Sequence, residues 1–406
     1  MRQLLCTAKK CTFAADSPAS ENRKGHPMEI LIFNPEHDYA LADNQPQYVT
    51  LRSAAQFAYD CAPFMRYLTD NEAFVLDAYR PFGKEFQKNF DPMEDAERIT
   101  KVTPWGWDSA VVYQLRRIGI AEKLLPTDAQ LSKLRDLAHR KTAITAMEFL
   151  REKHPHPERL PLPPSYLTEF QQVEDFVKQI PDVLFKSPYS GNGRGHLYAH
   201  GTCTPTLLRQ CAGVIRRQGG LIAERMYAVV QDFAMEFRCH DGQADFLGYS
   251  LFRTEHYGYG GNQLMPDDAI LSVLSQYIDT QEILQIQVLV RDFLHQHIAP
   301  HYDGVAGVDM FVYQEDGAYQ LHPFVEVNLR MTMGLAAHEI FRRHCHPEAR
   351  GTFRIVRGDV ETQCIASLQT EMQLRDGLWW SGTAVLNPVT EKTGYAVVVN
   401  FTDAPK

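Results

Sequence analysis

The segment His322-Pro-Phe-Val-Glu-Val-Asn-Leu-Arg-Met-Thr-Met-Gly334 opens as an apolar, strand-like run and turns polar before a glycine. Alternate side chains of a strand share a face. Glu326 and Asn328 therefore present a carboxylate and an amide oxygen side by side. Paired hard oxygen donors suit Mg²⁺, which takes oxygen ligands and commonly leaves its remaining positions to substrate phosphates and water. The preceding run, Gly307-Val-Asp-Met-Phe-Val-Tyr-Gln314, also reads as a strand, and Asp316-Gly317 between the two is a strong hairpin signal. A two-residue turn there sets residue 309 opposite 324, with 326 as its diagonal neighbour on the same face. Asp309 is thus expected to share a metal with Glu326 and Asn328. A lone Glu-x-Asn would be an ordinary wet strand edge; the hairpin parity and a glycine loop upstream decide for the metal.

At 406 residues the chain has length for two or three domains and a substantial core. A net charge of −9 without a block of Lys or Arg gives no nucleic-acid footprint. No run of 18 apolar residues exists, so no membrane span is expected. The eight cysteines are scattered without CxxC pairs and read as free thiols of a reducing compartment, which places the protein in the cytoplasm. His344-Cys345-His346 is the one tempting metal cluster. Adjacent residues rarely converge on one ion, and a solvated helix end is the better reading.

Residues 1–27 read as a disordered leader, or as an extension upstream of a natural start at Met28. Over 28–126, strands at 29–33, 73–76 and 99–102 alternate with helical patterns around 51–68 and 108–120, which argues for a small parallel α/β domain. Asn34–Tyr39 is expected as a polar loop at the first strand's C-terminal end, where ligands sit in such sheets. Its Glu36, His37 and Asp38 are candidate substrate contacts. Trp105 and Trp107 read as core beneath a loop. Helices follow at 127–138 and 141–152, and Thr168-Glu-Phe-Gln171 is a capping box for a helix burying Phe170, Val173, Phe176, Val177 and Ile180.

A strand over 183–186 then delivers Lys186 to a loop with glycines at 191, 193 and 195. Such glycines let backbone N–H groups approach phosphate oxygens, with lysine adding a point charge. The spacing fits neither G-x-x-x-x-G-K-[ST] nor G-x-G-x-x-G, and the loop joins strand to strand; a hairpin flap over phosphates fits better. Further on come a helix from Thr204-Pro205 to Gly219-Gly220, a strand over 221–227, and a hairpin of 228–240 with 244–254. A mobile polar loop is expected over 255–262, a helix over 279–298, a second over 335–345, and a strand-rich tail to 401.

In this order the elements over 127–334 resemble the ATP-grasp superfamily: Lys141 at a helix head, Lys186 before the 190–195 flap, the hinge at Glu224, then Asp309, Glu326, Asn328 and Arg330. The resemblance implies an α/β (α+β) chain, an ATP-grasp fold preceded by a small parallel α/β domain. Its subdomains are 127–225 with the flap and 226–350 with the metal site, followed by a strand-rich extension over 351–406. It implies that Lys141 and Lys186 contact ATP phosphates under a flap of Ser190, Gly191, Asn192, Gly193, Arg194 and Gly195. Glu224, Arg225, Met226 and Tyr227 would hold adenine and ribose. Asp309, Glu326 and Asn328 would hold Mg²⁺, with Mn²⁺ as a substitute. Arg330 and Arg253 would bind the acceptor carboxylate or the transferring phosphoryl group. Two departures stand: Arg140 precedes Lys141 where many members carry an acid, leaving the phosphate contact open between the two, and the Pro-Gly turn of dipeptide ligases is absent after Asn328. The implied activity is an ATP-dependent ligase joining a small-molecule carboxylate to an amine or thiol, as a monomer or homodimer. A small-molecule kinase using the same site and a silent nucleotide-binding module are the competing readings.

Overall fold

The computed structural model describes residues 27–76, 97–191, 195–255, 258–357, 371–390 and 393–402. The expected leader therefore lies outside the described residues, apart from residue 27. Among the described residues the strands form three sheets. The first is parallel, with β1 (Met28–Ile32) between β2 (Ala73–Leu76) and β3 (Ile99–Pro104). β1 is buried along its whole length, as a parallel strand covered on both faces must be. Its helices are α1 (His37–Asp43), α2 (Arg52–Cys61) and α3 (Ser109–Arg117). The stretch expected as a polar loop after β1 therefore becomes helical from His37. Asp108 caps α3 by accepting from the Val111 N–H.

Two helices, α4 (Asp128–Ala138) and α5 (Thr142–Lys153), lead to the second sheet. It is built from β4 (Ser165–Leu167), β5 (Asp182–Lys186), β6 (Leu197–His200) and β7 (Leu221–Arg225), in the order β4-β7-β5-β6. Its apolar face packs on α6 (Phe170–Gln179) and α7 (Pro205–Gln218) through Val173, Val177, Phe185, Leu207 and Cys211. The capping box of α6 sits one residue later than expected, on Glu169 and Gln172. Phe170 consequently points outward and is 45 % exposed.

The third sheet has nine strands. They are β8 (Ala228–His240), β9 (Gln243–Glu255), β10 (Gly258–Leu264), β11 (Gly304–Glu315), β12 (Ala318–Asn328), β13 (Arg350–Arg357), β14 (Gln373–Arg375), β15 (Leu378–Val385) and β16 (Tyr395–Thr402). Their order is β12-β11-β8-β9-β10-β13-β16-β15-β14. The associated helices are α8 (Asp267–Leu274), α9 (Thr280–His297) and α10 (Met333–His344). The Asp-Gly turns at 241–242, 316–317 and 376–377 have positive φ at both residues, the geometry of a tight hairpin.

Strand parity decides which face is site and which is core. Phe233, Met235 and Phe237 of β8, Tyr249 and Leu251 of β9, and Val308, Met310 and Val312 of β11 pack against α5 and α9. Their alternates face the other way. Residues 255–262, expected as a mobile loop, instead contribute β10, which pairs with β9 and β13; 256 and 257 lie outside the described residues. The tail strands extend this sheet. Phe353, Val397, Val399 and Phe401 meet Phe33, Phe64 and Trp105 of the N-terminal region and Ile340 and Phe341 of α10 in one core. The helix end at His344-Cys345-His346 is packed rather than solvated, with Cys345 and His346 buried and His344 stacked on Trp379.

Candidate active site

A cavity of about 380 Å³ lies between the second and third sheets. Leu184 and Lys186 of β5, His196 and Tyr198, and Glu224, Arg225, Met226 and Tyr227 line one side; Asp309, Glu326, Asn328 and Arg330 line the other. The hairpin register differs from the expected one in a way that matters. Near the turn Phe311 opposes His322 as expected, but Asp309 opposes Glu326 directly. Two extra residues on β12 are absorbed between these pairs as a bulge containing Pro323, a residue with no N–H to lose from the ladder. The bulge brings the two carboxylates face to face.

Charge is matched in pairs. Lys186 Nζ lies 2.5 Å from Glu224 Oε1, both buried. Arg330 holds Asp38 through two hydrogen bonds and donates to Asn328 Oδ1 at 2.9 Å. Arg140 pairs with Glu326, and donates to Ser187 O at 2.7 Å, Ser190 Oγ at 2.5 Å and Ser190 O at 2.8 Å. Burial works against ionisation of Glu326, but Arg140 and Lys186 outweigh it and hold its carboxyl below the usual range. Asp309 goes the other way: burial, then Glu326 and Glu236, push it well above the usual range. Asn328 Nδ2 donates to Asp309 Oδ2 at 3.2 Å.

Of the two neighbours Arg140 and Lys141, Arg140 is buried against the flap base and Glu326. Lys141 is exposed and lines a separate recess beside α9. Arg253 is also exposed and stays outside the cavity, because its β9 neighbours Phe252 and Thr254 take the inward face. Of the flap, Ser190 is anchored by Arg140, and a Cβ at Gly191 would stand 2.5 Å from Asp38 Oδ2. Gly195 adopts φ +84° beside Ser187, a conformation that favours glycine. Asn192, Gly193 and Arg194 lie outside the described residues. Asp38 reaches the cavity, whereas Glu36 and His37 are buried, the latter with its Nδ1 3.2 Å from Asp108 Oδ2. Burial and Asp108 push Glu36 up to about 8.

One group in the cavity wall has no counterpart in the sequence reading. Glu236 is fully buried on β8, diagonal to Asp309, and accepts from Thr332 Oγ1 at 3.1 Å on both oxygens. Burial raises it to about 7. Its signal was parity: an acid on the face of Ala234 and Asp232, between the core residues Met235 and Phe237.

The donor set is compatible with Mg²⁺. Among the described residues no three His, Cys, Asp or Glu side chains converge into a metal cluster. Two carboxylates and an amide oxygen remain, a count that suits an ion keeping water and phosphate oxygens as its other ligands.

The architecture is that of the ATP-grasp fold, preceded by a small parallel sheet. No known sequence family and no curated protein matches the chain. Solved structures do. An ADP complex of N5-carboxyaminoimidazole ribonucleotide synthetase is 13% identical, with 94% of this chain and 93% of that one covered at a TM-score of 0.51. The biotin carboxylase domain of Hydrogenobacter thermophilus 2-oxoglutarate carboxylase, with Mg-ADP and bicarbonate, is 13% identical over 92% and 86% of the two chains at 0.51. Campylobacter jejuni biotin carboxylase in a β,γ-ATP complex is 11% identical over 92% and 87% at 0.51. Among the described residues no helix is long and apolar enough to cross a membrane.

Proposed function

We propose that the protein is an ATP-dependent ligase that activates a carboxylate as an acyl phosphate and joins it to an amine or thiol, releasing ADP and phosphate. The observation that carries this reading is the convergence of Asp309, Glu326 and Asn328 with buried Lys186 in one cavity between two sheets, with Arg140 paired to Glu326 just outside it. ADP and ATP complexes among the structurally similar enzymes support a nucleotide in that cavity.

Asp309, Glu326 and Asn328 would hold Mg²⁺, or Mn²⁺ in its place, which when bound supplies positive charge against the phosphates. Lys186 offsets charge building on the leaving phosphoryl oxygens. Arg140 is set to do the same from the base of the flap, where it fixes Ser190. Glu224 and Met226 present a polar and an apolar contact for ribose and base, and Tyr227 adds a ring from a cluster with Phe311, Tyr313 and His322. The 190–195 flap would exclude water from the acyl phosphate. Arg330, fixed by Asp38, would orient the acceptor or the transferring group. No protein nucleophile is needed.

The test is ADP release from purified protein against mixtures of carboxylates and amines, with identification of the product. An amide or thioester stoichiometric with ADP supports the ligase. A phosphoester would instead establish a kinase, and nucleotide binding without turnover a silent module.

A further inference from the structure

Glu236 is a buried carboxylate without a cation. The described cations that line the cavity are already engaged: Lys186 by Glu224, Arg330 by Asp38 and Arg225 by Glu315, while Arg140 beside it is held by Glu326. Glu236 has only hydroxyl neighbours, with Thr332 donating to it and Ser250 Oγ beside it. A buried carboxylate with no cation beside it is complementary to a positive group that arrives with a ligand.

Two more buried polar atoms at the same wall lack a well-directed hydrogen bond to any described group. They are Ser250 Oγ and Asn262 Nδ2, whose residues are 3 % and 1 % exposed. Both residues line the cavity. Asn262 is oriented by the Tyr259 hydroxyl, which donates to its Oδ1 at 2.5 Å. The unpartnered Nδ2 is therefore a donor in search of an acceptor. Two glycines let the carboxylate and the hydroxyl sit where they do: a Cβ at Gly307 would come 2.7 Å from Glu236 Oε2, and one at Gly334 would come 2.4 Å from Oε1 and 2.3 Å from Ser250 Oγ. Phe252, Tyr259 and Met333 add apolar surface to the same wall. Glu236 is one strand across from Asp309, with Gly307 as its direct partner, so this wall adjoins the carboxylate pair.

We infer that Glu236, Ser250 and Asn262 form the subsite for the ligase's nucleophilic substrate, a primary amine with a neutral oxygen acceptor a few bonds away and an apolar body. The ammonium pairs with Glu236, the carbonyl or hydroxyl oxygen accepts from Asn262 Nδ2, and the body lies on Phe252, Tyr259 and Met333. Amino-acid amides and amino alcohols have this chemistry. A free α-carboxylate at the same place would face Glu236 with no unengaged Lys or Arg among the described residues that line the cavity. This inference rests on the ligase reading for the substrate's role, but the binding site itself does not depend on turnover.

The experiment is calorimetric titration of the full chain, saturated with Mg-ADP, with four matched probes: phenylalaninamide, phenethylamine, 3-phenylpropanamide and phenylalanine. Phenylalaninamide should bind tightest, and loss of the amine should weaken binding about tenfold or more, the scale of a charge-assisted hydrogen bond. Glu236→Gln should erase the advantage of the amine over 3-phenylpropanamide while ADP affinity holds. Should that variant not fold, Asn262→Leu gives the second reading: it should bring phenylalaninamide down to phenethylamine and leave phenethylamine unchanged. Failure of every amine to bind, equal binding of 3-phenylpropanamide, or indifference to both substitutions overturns the subsite. Binding that follows the expected pattern, with no ADP release from ATP and any carboxylate tried, would keep the subsite and refute the ligase.

Discussion

Arg330 grips Asp38 through two parallel hydrogen bonds, Nε to Oδ1 at 3.1 Å and Nη2 to Oδ2 at 2.9 Å, tying the residues after β12 to the first turn of α1. The planar guanidinium matches the carboxylate at two points, and its Nη2 also orients Asn328. The N-terminal sheet is thereby coupled to the candidate metal site.

Asp38→Ala should leave Arg330 without its counter-charge. Removing one partner of a fully buried pair costs about 3–5 kcal/mol. These side chains keep 16% and 19% exposure, so about 2–3 kcal/mol is expected by urea denaturation. Replacing Arg330 by Met in the same chain should recover most of that loss. An Asp38→Ala variant as stable as the parent would show the pair to be no stronger than a surface contact.

For Lys186 the expected signature is a split between stability and nucleotide affinity. Lys186→Met strands Glu224, so the fold weakens; Lys186→Met with Glu224→Gln removes both charges and should restore much of it. ADP affinity should remain low in both, by roughly 2–4 kcal/mol for the lost phosphate contact. Recovery of ADP binding in the double variant would reassign Lys186 to structure alone.

How far the sequence led is uneven for physical reasons. The hairpins were legible because Asp-Gly turns and period-two patterning are local signals. The register at Asp309 was not: Pro323 permits a bulge in β12, but nothing in the pattern of either strand says that two residues are absorbed there. β10 read as a loop because Gly and Tyr dominate it, and its pairing with β13 depends on a strand about ninety residues further on. Arg140 and Lys141 were left undivided because the two differ by one position at a helix start, and only packing shows which turns inward. Glu236 escaped because an isolated acid in a strand carries no motif; its meaning comes from Ser250 and Thr332, brought in from other elements.

Stability should fall with rising pH through Glu36. Burial, reinforced by Asp108, raises this carboxyl from 4.5 to about 8. The folded state then holds a proton that the unfolded state has released, so the unfolded state binds fewer protons and stability falls as pH rises. The contribution is complete below pH 4.5 and gone above about 8. Glu36→Gln keeps the shape of the protonated acid and should be close to the parent at pH 4.5. It should exceed the parent by a few kcal/mol at pH 8.5, on the order expected for a shift of this size. Thermal melts at the two values decide it; a constant difference between the proteins would refute the assignment.

The last prediction sets the two facing carboxylates against each other. Both Asp309→Asn and Glu326→Gln remove a charge from the candidate donor set, so both should weaken Mg²⁺ binding and require more Mg²⁺ or Mn²⁺ for turnover. Without metal or nucleotide they should diverge. Asp309 has no cation of its own and is raised by burial and by Glu326 and Glu236. Asn in its place ends that repulsion, and thermal stability should hold or rise. Glu326 is the counter-charge of buried Arg140, so Gln there leaves a guanidinium unpaired and should cost about 2–4 kcal/mol. A Glu326→Gln protein as stable as its parent would show that Arg140 is satisfied by Ser187 and Ser190 alone. Wild-type metal dependence in both variants would remove Mg²⁺ from this hairpin and with it the observation on which the ligase reading rests.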